Sequence, residues 1–184
     1  MKFIIFDTET TGLVLPDVAP LEKQPKIIEL GLVVYDSALA LTRCPEDSTK
    51  VHNWLINPGE PITAEITKIT GIKNEDLVGK PSFAEAWEQA SGMFAWADVA
   101  VAHNAPFDTA MINNEAKRIG VQPVWPKETV CTVQEHMHLK GRRLKLTELY
   151  EHATGKVLQQ THRASDDAAA LLEALIAMKF FEAF

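Results

Sequence analysis

The sequence predicts an α/β domain with a mixed central sheet, an antiparallel meander of three strands plus short parallel strands, flanked by helices. Three observations carry this expectation. The apolar runs follow the order strand, strand, strand, then two helices, strand, helix, strand and two helices, an alternation that covers a sheet with helices. The first three runs are joined by polar connections, which suits antiparallel neighbours. Finally, the 184 residues are 46% hydrophobic and 23% charged, the composition of an ordinary globular domain. At about one domain per 150 residues the chain reads as a single domain over 1–184, large enough to bury about 70% of its unfolded surface without disulfide or metal staples. It contains no repeat, low-complexity tract or interdomain linker.

Residues 2–7 (KFIIFD) are short, β-branched and aromatic, and run into a turn-like TTG, so they predict a buried strand. Residues 17–25 carry two prolines and three charges and predict a loop. A longer apolar strand is expected over 27–35, a polar turn over 42–49, and a third strand over 51–59 that ends at Pro58-Gly59. Residues 63–70 place Ile66 and Ile69 on one helical face and stop at Gly71. Ser82 with Glu85 reads as a capping box that opens a helix over 83–96. A short buried strand over 98–102 precedes a helix over 106–119, with Pro106 in its first turn and Gly120 beyond its end. A short strand over 129–132 and helices over about 144–154 and about 164–181 complete the chain, the last with an apolar stripe at helical spacing.

Eighteen Lys and Arg against twenty-five Asp and Glu leave a net charge of −7, which excludes a protein that coats nucleic acid by bulk charge. A metal-dependent enzyme that gathers carboxylates, or a nucleic-acid enzyme with a local basic groove, stays open. The two cysteines, Cys44 and Cys131, are isolated and form no CxxC. The four-residue apolar run before Asp7 is too short for a signal-peptide core, and no stretch is long and apolar enough to span a bilayer. A reduced, cytoplasmic, soluble protein without membrane contact is expected.

Three acidic motifs stand out. Asp7 and Glu9 are two residues apart, which on extended chain puts both side chains on one side; two such carboxylates repel unless a cation neutralises them. The pair alone equally suits a turn-opening Asp and an exposed Glu. HNAPFD (103–108) follows a buried strand and opens a helix. There Asp108 is explained as well by the helix dipole, and His103 and Asn104 by capping. HRASDDA (162–168) opens the last helix, where Asp166 and Asp167 again suit a helix N-terminus.

In combination these motifs are far more specific. DTETTG, HNAPFD and HxAxxDA, in this order, resemble the DEDDh branch of the DnaQ-like 3′–5′ exonucleases, of RNase H-like fold, which includes the proofreading epsilon subunit exonuclease domain. ITAEITKITGI (62–72) and LKLTELYEHATGK (144–156) extend the resemblance over nearly the whole chain. It implies that Asp7, Glu9, Asp108 and Asp167 are the metal-binding carboxylates and His162 the general base. The family spacing of His, four residues, Asp selects Asp167 and leaves Asp166 as the variable neighbour; neighbours on a helix are 100° apart, so only one can face a given site. Two divalent cations are implied, roughly 3.5–4 Å apart in such sites, with hard oxygen ligands favouring Mg²⁺ or Mn²⁺ and an imidazole suited to taking a water's proton.

The same resemblance places Thr8, Thr10 and Thr11 along the 3′-terminal nucleotide, Leu13 as an apolar wedge between the last bases, Phe107 against a base, and His103 and Asn104 near the scissile bond. The local alternatives are a turn, a core leucine and a core phenylalanine. Gln159, Gln160 and Thr161 read as a flexible segment that lets the imidazole swing in. Lys140, Arg142, Arg143 and Lys145 suit either a phosphate-guiding cluster or a solvated face. Trp87, Trp96, Phe180 and Phe181 fit helix packing, with the terminal FFEAF alternatively a self-association or docking surface.

The expected activity is release of 5′-mononucleotides from a free 3′ end, single-stranded DNA favoured over RNA. An RNA-trimming exoribonuclease, a catalytically idle nucleic-acid-binding module and a structural cation site in an interaction protein are the alternatives. Expected partners are nucleic acid with a free 3′ end, and either a second copy in a homodimer or a polymerase or repair protein.

Overall fold

The computed structural model describes residues 1–16, 18–41 and 48–184; Cys44 and most of the turn expected over 42–49 lie outside them. In chain order the elements are β1 (Lys2–Thr10), β2 (Ile27–Asp36), α1 (Ser37–Ala40), β3 (Thr49–Leu55), α2 (Ala64–Thr70), α3 (Asn74–Leu77), α4 (Phe83–Trp96), β4 (Val99–Ala102), α5 (Ala105–Arg118), β5 (Glu128–Cys131), α6 (Thr132–Glu135), α7 (Leu146–Thr154) and α8 (Ala164–Ala177). The five strands form one sheet in the order β3-β2-β1-β4-β5. β3, β2 and β1 are antiparallel, while β4 and β5 run parallel to β1. The expected mixed sheet is therefore observed.

Side chains alternate across β1 and divide the core in two. Ile4 and Phe6 face α4 and α5, packing with Phe83, Trp87, Phe94, Met111 and Ile112. Phe3 and Ile5 face α7 and α8, packing with Leu146, Leu149, Leu171 and Leu175. All four β1 residues are fully buried, each worth roughly 1.5–3 kcal/mol of transfer free energy.

Several boundaries differ from the sequence reading. β1 does not turn at Asp7 but continues to Thr10, because β2 pairs with it throughout: Asp7 lies opposite Gly31, Thr8 opposite Leu30 and Glu9 opposite Glu29, with an irregularity only between Glu9 and Thr10. β3 begins at Thr49 and stops at Leu55, short of Pro58. α8 ends at Ala177 rather than continuing to 181. Lys179 is left-handed (φ 57°), and a 3₁₀ turn over Phe180–Ala183 folds Phe181 onto Phe3 and Tyr35, with ring centroids 4.7 and 4.6 Å apart. The aromatic tail is thus an extension of the core beneath α8. The one-turn helices α1, α3 and α6 went unread because each is too short to show a period. Among the described residues no helix is long and apolar enough to cross a membrane, and Cys131 is buried and free.

Candidate active site

Because β1 and β4 are parallel, their carboxyl ends open on the same edge of the sheet, the usual place for a site in such folds. Asp7 and Glu9 project from β1 on the face that carries Phe3 and Ile5, toward α8. Beyond β4 the chain reverses at Asn104, which is left-handed (φ 83°), a conformation Asn tolerates better than most residues. α5 starts at once, and Asp108 is buried in its first turn. Thr8 fixes Asp108 from β1: its backbone N–H (3.1 Å) and its hydroxyl (2.7 Å) both donate to Asp108 Oδ1.

Asp167 arrives from the opposite side. α8 crosses β2 at Gly31, whose missing Cβ leaves room for the helix backbone: a Cβ there would lie 2.2 Å from Ala164 C and Ser165 N. Asp167 is buried and accepts from Gln160 Nε2 at 2.6 Å. Asp166 is exposed and accepts from the Thr161 hydroxyl at 2.8 Å. The 159–161 segment is therefore tied at two points rather than free. His162 is exposed and left-handed (φ 52°). One ligating atom from each of Glu9, His162 and Asp167 lies within 4.8 Å of the other two.

The carboxylates carry unbalanced charge. Burial first, then the charges of Asp108, Glu9, Asp167 and Glu29, hold Asp7 well above the usual carboxylate range. Burial, with Asp167, Glu29 and Asp108, pushes Glu9 up to about 8 against the opposing Arg163. Burial raises Asp108 to about 7 although the Thr8 bonds pull it down. Burial also raises Asp167, opposed by the Gln160 amide. Among the described residues none of the four pairs with a lysine or arginine. A cluster of oxygen donors with raised affinity for protons and no lysine or arginine paired to it fits hard divalent cations such as Mg²⁺ or Mn²⁺.

The other expected site residues divide by environment. Leu13 is 80% exposed, which rules out the core-leucine reading. Its loop is braced from behind. Gln24 pairs through its side-chain amide with Leu15 N and O, each at 3.0 Å, and Arg118 Nη2 donates to the carbonyls of Leu21, Gln24 and Pro25. Phe107 is half-buried against the α4–α5 core. The threonine hydroxyls have protein partners: Thr8 on Asp108, Thr10 donating to Gly12 O, and Thr11 accepting from Lys26 N.

His103 is held through both ring nitrogens, Nε2 to Leu144 O and Nδ1 to the Thr132 hydroxyl, each at 3.0 Å. Since a carbonyl only accepts, Nε2 carries the proton. Burial lowers its pKa, so the ring is a neutral latch joining β4, α6 and the approach to α7. In the basic run, Arg142 and Lys140 pair with Glu148, while Arg143 donates to Asn104 Oδ1 and so reaches the site's edge.

Sequence reasoning passed over Glu29 and Gly31, and read Gln160 only as part of a flexible segment. For Glu29 a signal existed: a single acid inside the apolar run IIELGLVVY needs a buried partner. Gly31 was visible as a glycine within that same strand. Gln160 offered nothing beyond polarity.

Comparison with known proteins matches this architecture. The exonuclease family model of the RNase T type matches residues 4–175. The chain is 32% identical over 180 residues to the DNA polymerase III subunit epsilon of Treponema pallidum, covering 97% of this chain and 76% of that one. It is 31% identical over 177 residues to the PolC-type DNA polymerase III of Caldanaerobacter subterraneus, covering 96% of this chain but only 11% of that one. Two solved structures share the fold. One is the nuclease domain of 3′hExo, a DEDDh family member, bound to rAMP (TM-score 0.74, 14% identity, 96% and 90% covered). The other is exonuclease X in complex with 5′ overhanging duplex DNA (TM-score 0.61, 23% identity, 95% and 91% covered). With its acids gathered at the carboxyl ends of β1 and β4 and at the start of α8, the chain belongs to the DEDDh branch of the DnaQ-like 3′–5′ exonucleases.

Proposed function

We propose that this chain, as one exonuclease domain over 1–184, hydrolyses the terminal phosphodiester at a free 3′ end, single-stranded DNA foremost, and releases 5′-mononucleotides. One observation carries the reading: two buried carboxylates (Asp108 and Asp167) and two half-buried ones (Asp7 and Glu9), none paired with a lysine or arginine among the described residues, gather where an exposed imidazole lies within 4.8 Å of Glu9 and Asp167. Asp7, Glu9, Asp108 and Asp167 would hold two Mg²⁺ or Mn²⁺ ions, which when bound supply Lewis-acid activation of a water and stabilise the departing 3′ oxygen.

The remaining roles belong to the chain. Thr8 and Gln160 hold the Asp108 and Asp167 carboxylates in place. His162 takes the proton from the attacking water, a task for which its exposure gives access. Leu13, presented on a braced loop, wedges against the terminal base, and Phe107 offers a ring edge behind it. Thr10, Thr11, His103 and Asn104 shape the walls of the terminal-nucleotide site, and Arg143 places positive charge beside Asn104. The names of the more similar relatives favour DNA and a polymerase partner; a homodimer is the alternative assembly, and a cytoplasmic location is proposed with either. The rAMP bound to one structural neighbour favours RNA as the second substrate reading.

The test is digestion of end-labelled single-stranded DNA, duplex DNA and RNA side by side in Mg²⁺, Mn²⁺ and EDTA. Mononucleotide release from single-stranded DNA, abolished by EDTA and restored by either cation, is expected. Undiminished hydrolysis after thorough chelation would overturn the cation-dependent mechanism, and faster release from RNA would reassign the substrate.

A further inference from the structure

We infer that Glu29 is a positioning residue which, through Arg163 and Ala164, holds His162 in its working conformation; this rests on the reading of His162 as the base. Glu29 sits on β2 directly opposite Glu9, fully buried. It is nevertheless not available as a cation ligand, because both its oxygens are committed. Oε1 accepts from Asn53 Nδ2 (2.7 Å), from Arg163 Nε (3.0 Å) and from Arg163 Nη2. Oε2 accepts from Arg163 Nε (3.1 Å) and from the backbone N–H of Ala164 (3.0 Å).

The Ala164 bond gives the arrangement its direction. Ala164 opens α8, and the residue before it supplies no side-chain cap. The amides of a helix's first turn need an outside acceptor and favour a negative one. Glu29 supplies it from another element, so the start of α8 is capped by the sheet. Arg163 and Ala164 are both gripped by one carboxylate, and on the other side Thr161 is tied to Asp166.

His162 lies between these two anchors, with φ at +52°. A β-carbon residue holds such a conformation only where its surroundings impose it. The clamp thus aims the imidazole at Glu9 and Asp167, its near neighbours. Arg163 also neutralises Glu29, which would otherwise add a fifth uncompensated negative charge beside Glu9.

The test uses single-turnover hydrolysis of a labelled single-stranded DNA at saturating Mn²⁺, Mn²⁺ affinity on the same samples, and backbone NMR order parameters across residues 161–165. Glu29→Gln keeps the volume and loses the charge. It should lower the rate by about 10²-fold, the scale of a 1 Å misplacement, with Mn²⁺ affinity retained. In a His162→Ala background the same change should lower the rate no further. Order parameters at 162–164 should fall from rigid values of about 0.85 to below about 0.6.

Equal losses with and without His162, or unchanged order at 162–164, would overturn the proposal. A chain that hydrolyses no nucleic acid, yet loses order in Glu29→Gln, would sink the proposed function and leave the positioning role standing. Arg163→Lys keeps the buried charge neutralised but loses the fork. It is read in the same assays if Glu29→Gln fails to melt cooperatively, with the same outcomes deciding.

Discussion

Asp166 and Asp167 are sequence neighbours with opposite surroundings. One is exposed beside Thr161; the other is buried with Gln160 among the site acids. Asp167→Ala should abolish turnover at saturating cation while the protein still melts cooperatively. Asp166→Ala should change stability by no more than about 0.5 kcal/mol and keep most of the rate; the reverse ranking in a single-turnover assay would exchange their roles. The raised acids also predict a pH dependence of stability. In the folded, cation-free chain Glu9 ionises at about 8 and Asp108 at about 7, against ordinary values of 4.5 and 3.8. The folded state therefore holds protons that the unfolded chain has lost, and this contribution to stability is present below about pH 4 and declines until pH passes about 8. Melting in EDTA should show wild type losing ground to Glu9→Gln as pH rises through that window. The rise in Tm on adding Mn²⁺ should grow over the same range, because cations bind the ionised acids. A cation-induced shift independent of pH would contradict this account.

At the scale of elements, the seating of α8 on β2 decides where Asp167 stands. Gly31 is the contact point. Since Ala164 C and Ser165 N are backbone atoms, a Cβ meeting them at 2.2 Å cannot be relieved by a rotamer change. Gly31→Ala should therefore lift the start of α8, at a cost of about 1–3 kcal/mol for overpacking, and reduce turnover together with Mn²⁺ affinity. Gly92 in α4 is the control: an added Cβ meets nothing within 4 Å. Gly92→Ala should stabilise the helix by about 0.5–1 kcal/mol. Thermal melts of the two variants check the contrast, and a Gly31→Ala protein as stable as wild type would show that the helix has room to spare.

For the whole molecule, the relevant asymmetry is one of placement rather than amount. The net charge is −7, yet Arg143 lies at the edge of the acidic site and Leu13 projects, exposed, from the braced loop that follows β1. If that loop closes over a terminal nucleotide, a free 3′ end is required. Linear single-stranded DNA should be degraded under conditions in which a closed circle of the same sequence persists. Comparable rates on both, followed by gel electrophoresis with Mn²⁺ present, would make the chain an endonuclease and remove the wedge role of Leu13.

The sequence by itself determined the order of the strands and of the longer helices, because buried strands and amphipathic helices leave different periods, and Ser82 with Glu85 and Gly71 marked helix ends. It also determined the acidic motifs, since Asp7 and Glu9 are local on one strand and His162 and Asp167 local on one helix start. Tertiary structure decided what depends on partners far along the chain. β1 extends to Thr10 only because β2 pairs with it, and Thr8 spends its hydroxyl on Asp108, which lies a hundred residues away. α8 stops at Ala177 because the aromatic tail finds Phe3 and Tyr35. Glu29, an acid in an apolar run, is explained only once Arg163 and the first amide of α8 are brought to it. The physical reason is common to all of these: periodicity and capping act between near neighbours and are written locally, whereas a buried charge or a missing Cβ has meaning only beside the group that folding places against it.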